Sequence, residues 1–210
     1  MHIGIIGAGN VGGTLARRLA AAGHEIAIAN ASGPQKMQDL MGDLGHRAHA
    51  VPPSEAARFG DVVIVAVPFG RYNELPTAEL KGKTVMDTGN YTPDRDGNIP
   101  ELDQDQTTSS EMVQQHLRGA HVVKAFNTLH AENMRDHARQ SSAQERYGIP
   151  MSGDDPQAKR AVADLVEELG FQPVDAGDLA SGGRKQQPGG ITYDADFTAD
   201  ELVEALRLDS

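Results

Sequence analysis

The sequence contains no cysteine, which excludes disulfide bonds, thiolate nucleophiles and thiolate metal ligands. It also has no apolar run that approaches the roughly 18 residues of a membrane-spanning helix. Basic residues are in deficit, with 19 Lys and Arg against 30 Asp and Glu and a net charge of -11. Such an acidic surface argues against nucleic acids and anionic membranes as main partners. We therefore expect a soluble, cytoplasmic protein whose partner is a small molecule.

Short β-branched runs alternate with helical patterns along the chain. The apolar opening, HIGIIGAG, contains glycines and follows no basic segment, so we interpret it as a buried strand and not as a signal peptide. Further strands are predicted at 25–29, 61–67 and 84–86, and a long irregular loop at 92–106. This alternation predicts an α/β fold with a Rossmann-type, doubly wound parallel sheet.

The chain is then expected to divide into two parts. Residues 1–128 form the dinucleotide-binding Rossmann domain in this prediction. Residues 129–210 form a small C-terminal extension packed on it.

The motif GAGNVG fits the pattern G-x-G-x-x-G directly after the first predicted strand and directly before a predicted helix. In such a loop Gly7 permits the tight turn, Gly9 lets backbone approach a pyrophosphate, and Gly12 allows close helix–strand packing. Unpaired N–H groups and the helix dipole favour the phosphates. The predicted cofactor-binding residues are Gly7, Ala8, Gly9, Asn10, Val11 and Gly12. The alternative is a strand–helix turn without a ligand.

Three further segments follow predicted strands: AVPF at 66–69, DTGN at 87–90 and KAFNT at 124–128. Ligands of open parallel sheets bind at the carboxyl ends of strands, so we expect these segments on one rim with the glycine loop. Asn127 is interpreted as a cofactor or substrate contact; alternatively it caps a helix that begins there. AVPF would alternatively be a strand that stops at Pro68.

The second predicted strand ends without the Asp or Glu that holds the ribose hydroxyls in NAD sites. Asn30, Ala31 and Ser32 follow it instead, and Lys36 lies one helical turn beyond Ser32. Without a carboxylate, a 2′-phosphate meets no like charge there. A contact from Lys36 would be worth on the order of 1–2 kcal/mol. We predict a salt-sensitive preference for NADP(H) over NAD, about ten-fold to a hundred-fold.

Several stretches together resemble the F420-dependent NADP oxidoreductase family, and also the reductase domain of the STEAP metalloreductases. They are IGIIGAGNVGGTLARRLAAAGHEIAIAN, VVIVAVPF, DTGNY, TTSSE, VVKAFNT and SGDD, followed by GFQPVDAGDLA and QPG. The first stretch is common to many Rossmann proteins, whereas AVPF together with KAFNT is more specific. The matching stretches extend over nearly the whole chain.

The resemblance implies hydride transfer between NADP(H) and a deazaflavin, coenzyme F420, or a flavin such as FMN or FAD in the metalloreductase branch. It also implies a homodimer, and we expect the C-terminal portion to bind the acceptor and form the dimer. By matching positions, the residues beside the nicotinamide would be Ala66, Val67, Pro68, Thr88, Asn90, Ala125, Phe126 and Asn127. Typical members hold the 2′-phosphate with Ser-Arg, where this chain has Ala31-Ser32, and often with a further Lys, which Lys36 matches.

Hydride transfer to a flavin-like ring requires alignment of donor and acceptor and no protein nucleophile. The catalytic residues we predict are therefore Asn127, as a positioning group, and His130, as a proton donor or acceptor-orienting group. His130 would alternatively be an ordinary surface histidine. Arg184 and Lys185 lie in SGGRKQQPGG, which would hold an anionic tail of the acceptor or form a solvated loop. No metal site is predicted.

These observations predict an NADP(H)-dependent oxidoreductase that passes hydride between nicotinamide and a deazaflavin or flavin. Two alternatives stay open: an NADPH-dependent flavin, ferric or cupric reductase, and a non-catalytic dinucleotide sensor.

Overall fold

The computed structural model describes residues 1–30, 37–136 and 146–208. Within these ranges eight strands form one sheet: β1 (His2–Ile6), β2 (Glu25–Ala29), β3 (Ala48–Ala50), β4 (Val62–Val65), β5 (Thr84–Asp87), β6 (His121–Lys124), β7 (Gly148–Gly153) and β8 (Gln172–Gly177). Their order across the sheet is β3-β2-β1-β4-β5-β6-β7-β8. The order reverses between β1 and β4, which is the switch point where open α/β sheets bind ligands.

Helices cover both faces of the sheet. They are α1 (Asn10–Ala21), α2 (Gln38–Leu44), α3 (Pro53–Phe59), α4 (Thr77–Leu80), α5 (Pro93–Asp96), α6 (Pro100–Asp103), α7 (Ser109–His116), α8 (Ala131–Asp136), α9 (Pro156–Glu168), α10 (Ser181–Gln186) and α11 (Ala199–Leu208), with 3-10 helices at Gly45–Arg47 and Phe69–Glu74. Local chemistry explains several starts: Thr108 and Glu111 form a capping box at α7, and Asp155 caps α9 with Pro156 after it.

Side chains alternate between two hydrophobic cores along each central strand. Ile3, Ile5 and Ile64 belong to the core that includes Leu15 of α1 and Leu165 of α9. Their neighbours Ile6, Val63 and Val65 belong to the opposite core, under α3 and α7. Because successive strand residues point to opposite faces, a sheet covered on both sides requires continuous apolar runs such as VVIV. The Rossmann-type α/β prediction is confirmed.

One pairing departs from the predicted parallel sheet. β7 runs antiparallel to β6, with Val123 opposite Gly153 and Lys124 opposite Ser152, and β8 then runs parallel to β7. Every residue of β7 is buried. A uniformly buried run carries no information on strand direction, so the sequence pattern did not distinguish the two orientations.

Three local predictions were wrong. The region 92–106 contains α5 and α6, each started by a proline at its first helical position, instead of an irregular loop throughout. The segment SGGRKQQPGG, at 181–190, was expected to be a basic glycine-rich turn, but it begins with α10. The helix predicted from residue 127 begins only at Ala131.

Among the helices in the described ranges, none has the length and apolar character needed to cross a bilayer.

Candidate functional site

A cleft of ≈ 540 Å³ lies at the carboxyl ends of the central strands. Its lining includes the predicted residues Gly9, Asn10, Val11, Ala66, Val67, Pro68, Thr88, Asn90, Phe126, Asn127 and His130. The glycine loop and the three rim segments therefore meet in one cavity, because the carboxyl ends of parallel strands share one edge of the sheet.

The other predicted residues lie around this cavity or outside the described chain. Gly12 and Ala125 are buried behind the cleft, and Ala8 packs against the core on the α1 side of the sheet. Gly7 lines a smaller neighbouring pocket, and Asn30 follows the end of β2. Ala31, Ser32 and Lys36 fall outside the described residues.

The three glycines of the loop are needed for different reasons. Gly7 has φ +113°, and a Cβ on Gly12 would lie 1.9 Å from the Gly7 carbonyl oxygen, so the backbone itself demands both glycines. Gly9 has φ −77°, and a Cβ there would meet no atom of the described residues within 4 Å. The packing of the described residues does not require a glycine at this position. The free space at the cleft matches a backbone that a ligand approaches closely.

The start of α1 offers donors to the cleft. Its N-cap is Gly9, no side chain in the described ranges caps it, and its first turn carries no acidic residue. Asn10 and Val11 line the cleft. Early N–H groups of a helix have no intrahelical acceptor, and the helix dipole favours negative charge there. These residues therefore fit the pyrophosphate of a dinucleotide.

Asn90 and Asn127, which both line the cleft, are joined by two hydrogen bonds. The Asn90 Nδ2 donates to the Asn127 carbonyl at 2.7 Å, and the Asn127 Nδ2 donates to Asn90 Oδ1 at 2.9 Å and to the Gln186 carbonyl at 2.8 Å. Because α8 begins at Ala131, Asn127 is not its cap, and the capping alternative was wrong. Asn127 Oδ1 is buried without a hydrogen-bond partner among the described residues. A buried unpaired acceptor is costly, and an amide donor of a ligand would satisfy it.

A buried charged network lies beneath the turn after β5. Lys124 is fully buried, and its Nζ donates to the Gly89 carbonyl at 2.9 Å and to Ser110 Oγ at 3.1 Å. The Ser110 hydroxyl donates to Asp87 Oδ2 at 2.8 Å, and that oxygen lies 3.9 Å from Lys124 Nζ. Burial lowers the pKa of Lys124, and the nearby Asp87 partly opposes this shift. The network holds the turn that presents Asn90 to the cleft.

Sequence reasoning did not single out this network. Asp87 and Lys124 are partners in the β5–β6 register, so they lie side by side at the ends of two central strands. The available signal was a pair of opposite charges, each closing an apolar strand in the sheet interior, where unpaired charges are expensive.

Two residues at the cleft have unusual backbone conformations. Phe126 has φ +58°, a value that bulky residues seldom adopt, and Asp194 has φ +55°, which Asp adopts more readily than most residues. Both line the cleft. The Phe126 ring packs edge-on against Phe171 at 5.5 Å between ring centroids, which fixes the side chain in spite of the backbone strain. Strained residues concentrate at functional sites.

The outer wall of the cleft brings together residues from distant segments. The exposed His130 pairs with Asp194, with 3.0 Å between Nε2 and Oδ1. Thr92, Arg95, Tyr193 and Asp194 also line this wall. None of these four was predicted, because they lie in the region taken as an irregular loop or near the chain's end, where the sequence shows no motif.

Arg184 and Lys185 are not part of the cleft lining. They lie on α10 and line a separate surface hollow, where Arg184 pairs with Asp105 at 3.2 Å. The two residues therefore lie on a helix and not in a turn, and a contact with an anionic tail of the acceptor stays a prediction. In the described part of the chain, no group of three or more His, Asp or Glu side chains is arranged to hold a metal ion.

The chain is similar to several known proteins. The family model for NADP oxidoreductase, coenzyme F420-dependent, matches residues 2–91. The solved structure of the hypothetical protein SMa0349 from Sinorhizobium meliloti is 34% identical, with a TM-score of 0.82 over 94% of this chain and 95% of that one. A protein from Arthrobacter sp. FB24, provisionally named an F420-dependent NADP reductase, is 27% identical, with a TM-score of 0.73 over 86% and 87% of the two chains.

The metalloreductase STEAP3 of Rattus norvegicus is 29% identical over 181 residues. The match covers 85% of this chain and 34% of that protein, so this chain spans about a third of its relative. Together with the matching fold, these similarities show that the chain resembles the F420-dependent NADP oxidoreductase family and that it is an NADP-dependent oxidoreductase.

Proposed function

We propose that the chain transfers hydride between NADP(H) and a flavin-like ring, either the deazaflavin F420 or a flavin. The observation that carries this proposal is the single cleft that joins the glycine loop to the Asn90–Asn127 pair. A dinucleotide bound by its pyrophosphate at the loop has its nicotinamide end directed into this cleft. The cleft is large enough for a drug-sized ligand.

The residues have separate roles in this proposal. Backbone N–H groups of Asn10 and Val11 bind the pyrophosphate, and Gly9 leaves the space for it. Asn127 Oδ1 accepts a hydrogen bond from the nicotinamide carboxamide, which relieves its unpaired state. Val67 and Phe126 supply apolar surface that excludes water from the nicotinamide face. NADP(H), when bound, supplies the hydride.

The acceptor side is formed by the part of the cleft that His130 and Asp194 line. His130 and Asp194 lie there as a hydrogen-bonded pair, in which the carboxylate orients the imidazole. The imidazole is placed to give a proton to the ring nitrogen of an acceptor or to take one from it. Asp194 and Tyr193 come from the C-terminal portion, 129–210, which we propose as the acceptor-binding and dimer-forming part.

A second candidate is an NADPH-dependent flavin or metal reductase. The similarity to rat metalloreductase STEAP3 favours it. Here hydride passes from NADPH to a flavin, and the reduced flavin then gives single electrons to two ferric or two cupric ions. The metal ion is the substrate in this scheme.

The test is NADPH oxidation by the purified chain, followed by absorbance, with F420, free FMN or FAD, and a ferric chelate with and without flavin. Turnover with F420 or flavin alone supports hydride transfer. Turnover that requires the ferric chelate as well as flavin supports the second candidate. Tight NADPH binding without turnover supports a dinucleotide sensor, and no NADPH binding contradicts all three.

A further inference from the structure

A second, smaller pocket of ≈ 110 Å³ adjoins the main cleft. Val67 lines both cavities, so they lie on either side of one residue. Gly7 and Ala29 also line the small pocket and are joined by a 2.9 Å hydrogen bond from the Gly7 N–H to the Ala29 carbonyl. Ala29 is the last residue of β2. In a Rossmann fold the adenosine ribose of a dinucleotide lies at this strand end, beside the first glycine of the loop.

Two opposite charges lie at this pocket. Arg71 and Glu74 belong to the 3-10 helix Phe69–Glu74, whose position is fixed by the buried Phe69 and by Leu75 just after it. The Arg71 Nε donates to Glu74 Oε1 at 2.9 Å, and Nη2 donates to the other carboxylate oxygen. Both side chains are about half exposed. An exposed ion pair of this kind adds little to stability, so replacing either residue leaves the fold intact.

We propose that Arg71 binds the 2′-phosphate of NADP(H) and thereby contributes to the preference for NADP(H) over NAD(H). Guanidinium binds a phosphate with two parallel hydrogen bonds, and a phosphate dianion attracts it more strongly than the Glu74 carboxylate does. This inference rests on the proposed binding of NADP(H) in the adjoining cleft.

Glu74 has the opposite role in this arrangement. With a plain ribose in the pocket, Arg71 keeps its carboxylate partner and gains nothing from the ligand. With a 2′-phosphate, Arg71 exchanges the Glu74 carboxylate for the phosphate. The carboxylate then lies near the negatively charged phosphate, and their repulsion reduces the favourable free energy of binding. Removing the Glu74 charge should therefore strengthen NADPH binding. If Arg71 served only in a surface ion pair, removing this charge would leave NADPH binding unchanged.

The sequence alone assigns this preference to Lys36, a residue outside the described ranges. Arg71 lies more than thirty positions further along the chain and follows a different strand, so no local pattern connects it with the end of β2. The fold places it there because β1 lies between β2 and β4 and all three strands end on the same rim.

The experiment is calorimetric titration of the full chain with NADPH, NADH and adenosine 2′,5′-bisphosphate. The variants are Arg71→Gln, Arg71→Lys and Glu74→Gln, and Arg58→Gln is the matched control. Arg58 also forms an exposed pair, at 2.8 Å with Glu79, and it does not line either cavity. Thermal melting verifies that each variant is folded.

Arg71→Gln should weaken NADPH and bisphosphate binding by about ten-fold to a hundred-fold and leave NADH within about two-fold. Arg71→Lys should recover part of the loss, because it keeps the charge without the bidentate geometry. Glu74→Gln should strengthen NADPH binding, and Arg58→Gln should change nothing.

Unchanged NADPH affinity in folded Arg71→Gln overturns this inference and leaves the proposed function intact. Equal weakening of NADPH binding and NADH binding overturns this inference as well, because it shows that the contact of Arg71 does not involve the 2′-phosphate. If the unmodified chain binds no NADPH, the proposed function itself is wrong. This result differs from a failure of the Arg71 inference alone, in which the unmodified chain still binds NADPH.

Discussion

Gly9→Val is the sharpest test of the proposed pyrophosphate site, because the structure separates its effects on folding and binding. Valine is compatible with the backbone at this position, which has φ −77° and ψ −164°. Its Cβ meets no atom within 4 Å in the part of the chain that the structure describes. Loss of a good N-cap residue and the reduced entropy of the unfolded chain act in opposite directions, so the unfolding free energy should change by less than about 1 kcal/mol.

The binding loss should be far larger. A branched side chain at this point prevents the phosphate from reaching the N–H groups of Asn10 and Val11. Two hydrogen bonds to a charged group, at about 1.5–3 kcal/mol each, total roughly 3–6 kcal/mol. This corresponds to a loss of NADPH affinity of roughly 10²- to 10⁴-fold.

Calorimetry with NADPH on the folded variant measures this loss, and denaturant unfolding measures stability. Gly42→Ala is the matched control, because Gly42 is exposed on α2 and a Cβ there also meets no described atom within 4 Å. It should leave NADPH affinity unchanged. Gly12→Val should instead disrupt the fold, since its Cβ would overlap the Gly7 carbonyl oxygen. NADPH affinity of folded Gly9→Val close to that of the unmodified chain would refute the pyrophosphate assignment.

Three further predictions concern the nicotinamide end, the ribose and the buried network. Asn127→Ala should lower kcat with the best acceptor at least about ten-fold and leave the affinity for adenosine 2′,5′-bisphosphate nearly unchanged, and undiminished turnover would contradict its role. Lys36→Ala should reduce the ratio of NADPH to NADH affinity by roughly ten-fold at low salt and by less at high salt; equal affinities in the unmodified chain would show the NADP assignment to be wrong. Because burial lowers the pKa of Lys124 in the folded chain, the unfolded chain binds more protons between that lowered pKa and the ordinary value of 10.5. Across this window the unfolding free energy of the unmodified chain should rise with pH relative to that of Lys124→Met. Denaturant titration at several pH values measures both free energies. A difference between the two that does not change with pH would contradict the lowered pKa of Lys124.

Much of the half of the chain that contains the glycine loop was predictable from local pattern. β1 and β2 lie where β-branched runs bounded by glycine and polar residues place them. The glycine loop follows β1 directly, and α1 starts at Asn10. Convergence of AVPF, DTGN and KAFNT in one cleft follows from a single topological fact, since all parallel strands end on one edge. Whether these residues bind the cofactor stays a prediction.

Only the tertiary structure decided the features that depend on which distant segments meet. The direction of β7 has no signature in a uniformly buried run, and it determines how Gln186 reaches Asn127 from α10. The pairing of Lys124 with Asp87 depends on the β5–β6 register, and Arg71 reaches the end of β2 through the strand order. Local sequence fixes backbone conformation and the apolar face of each element. Contacts between residues far apart in the chain depend instead on the free energy of the whole packed sheet, which no single segment encodes.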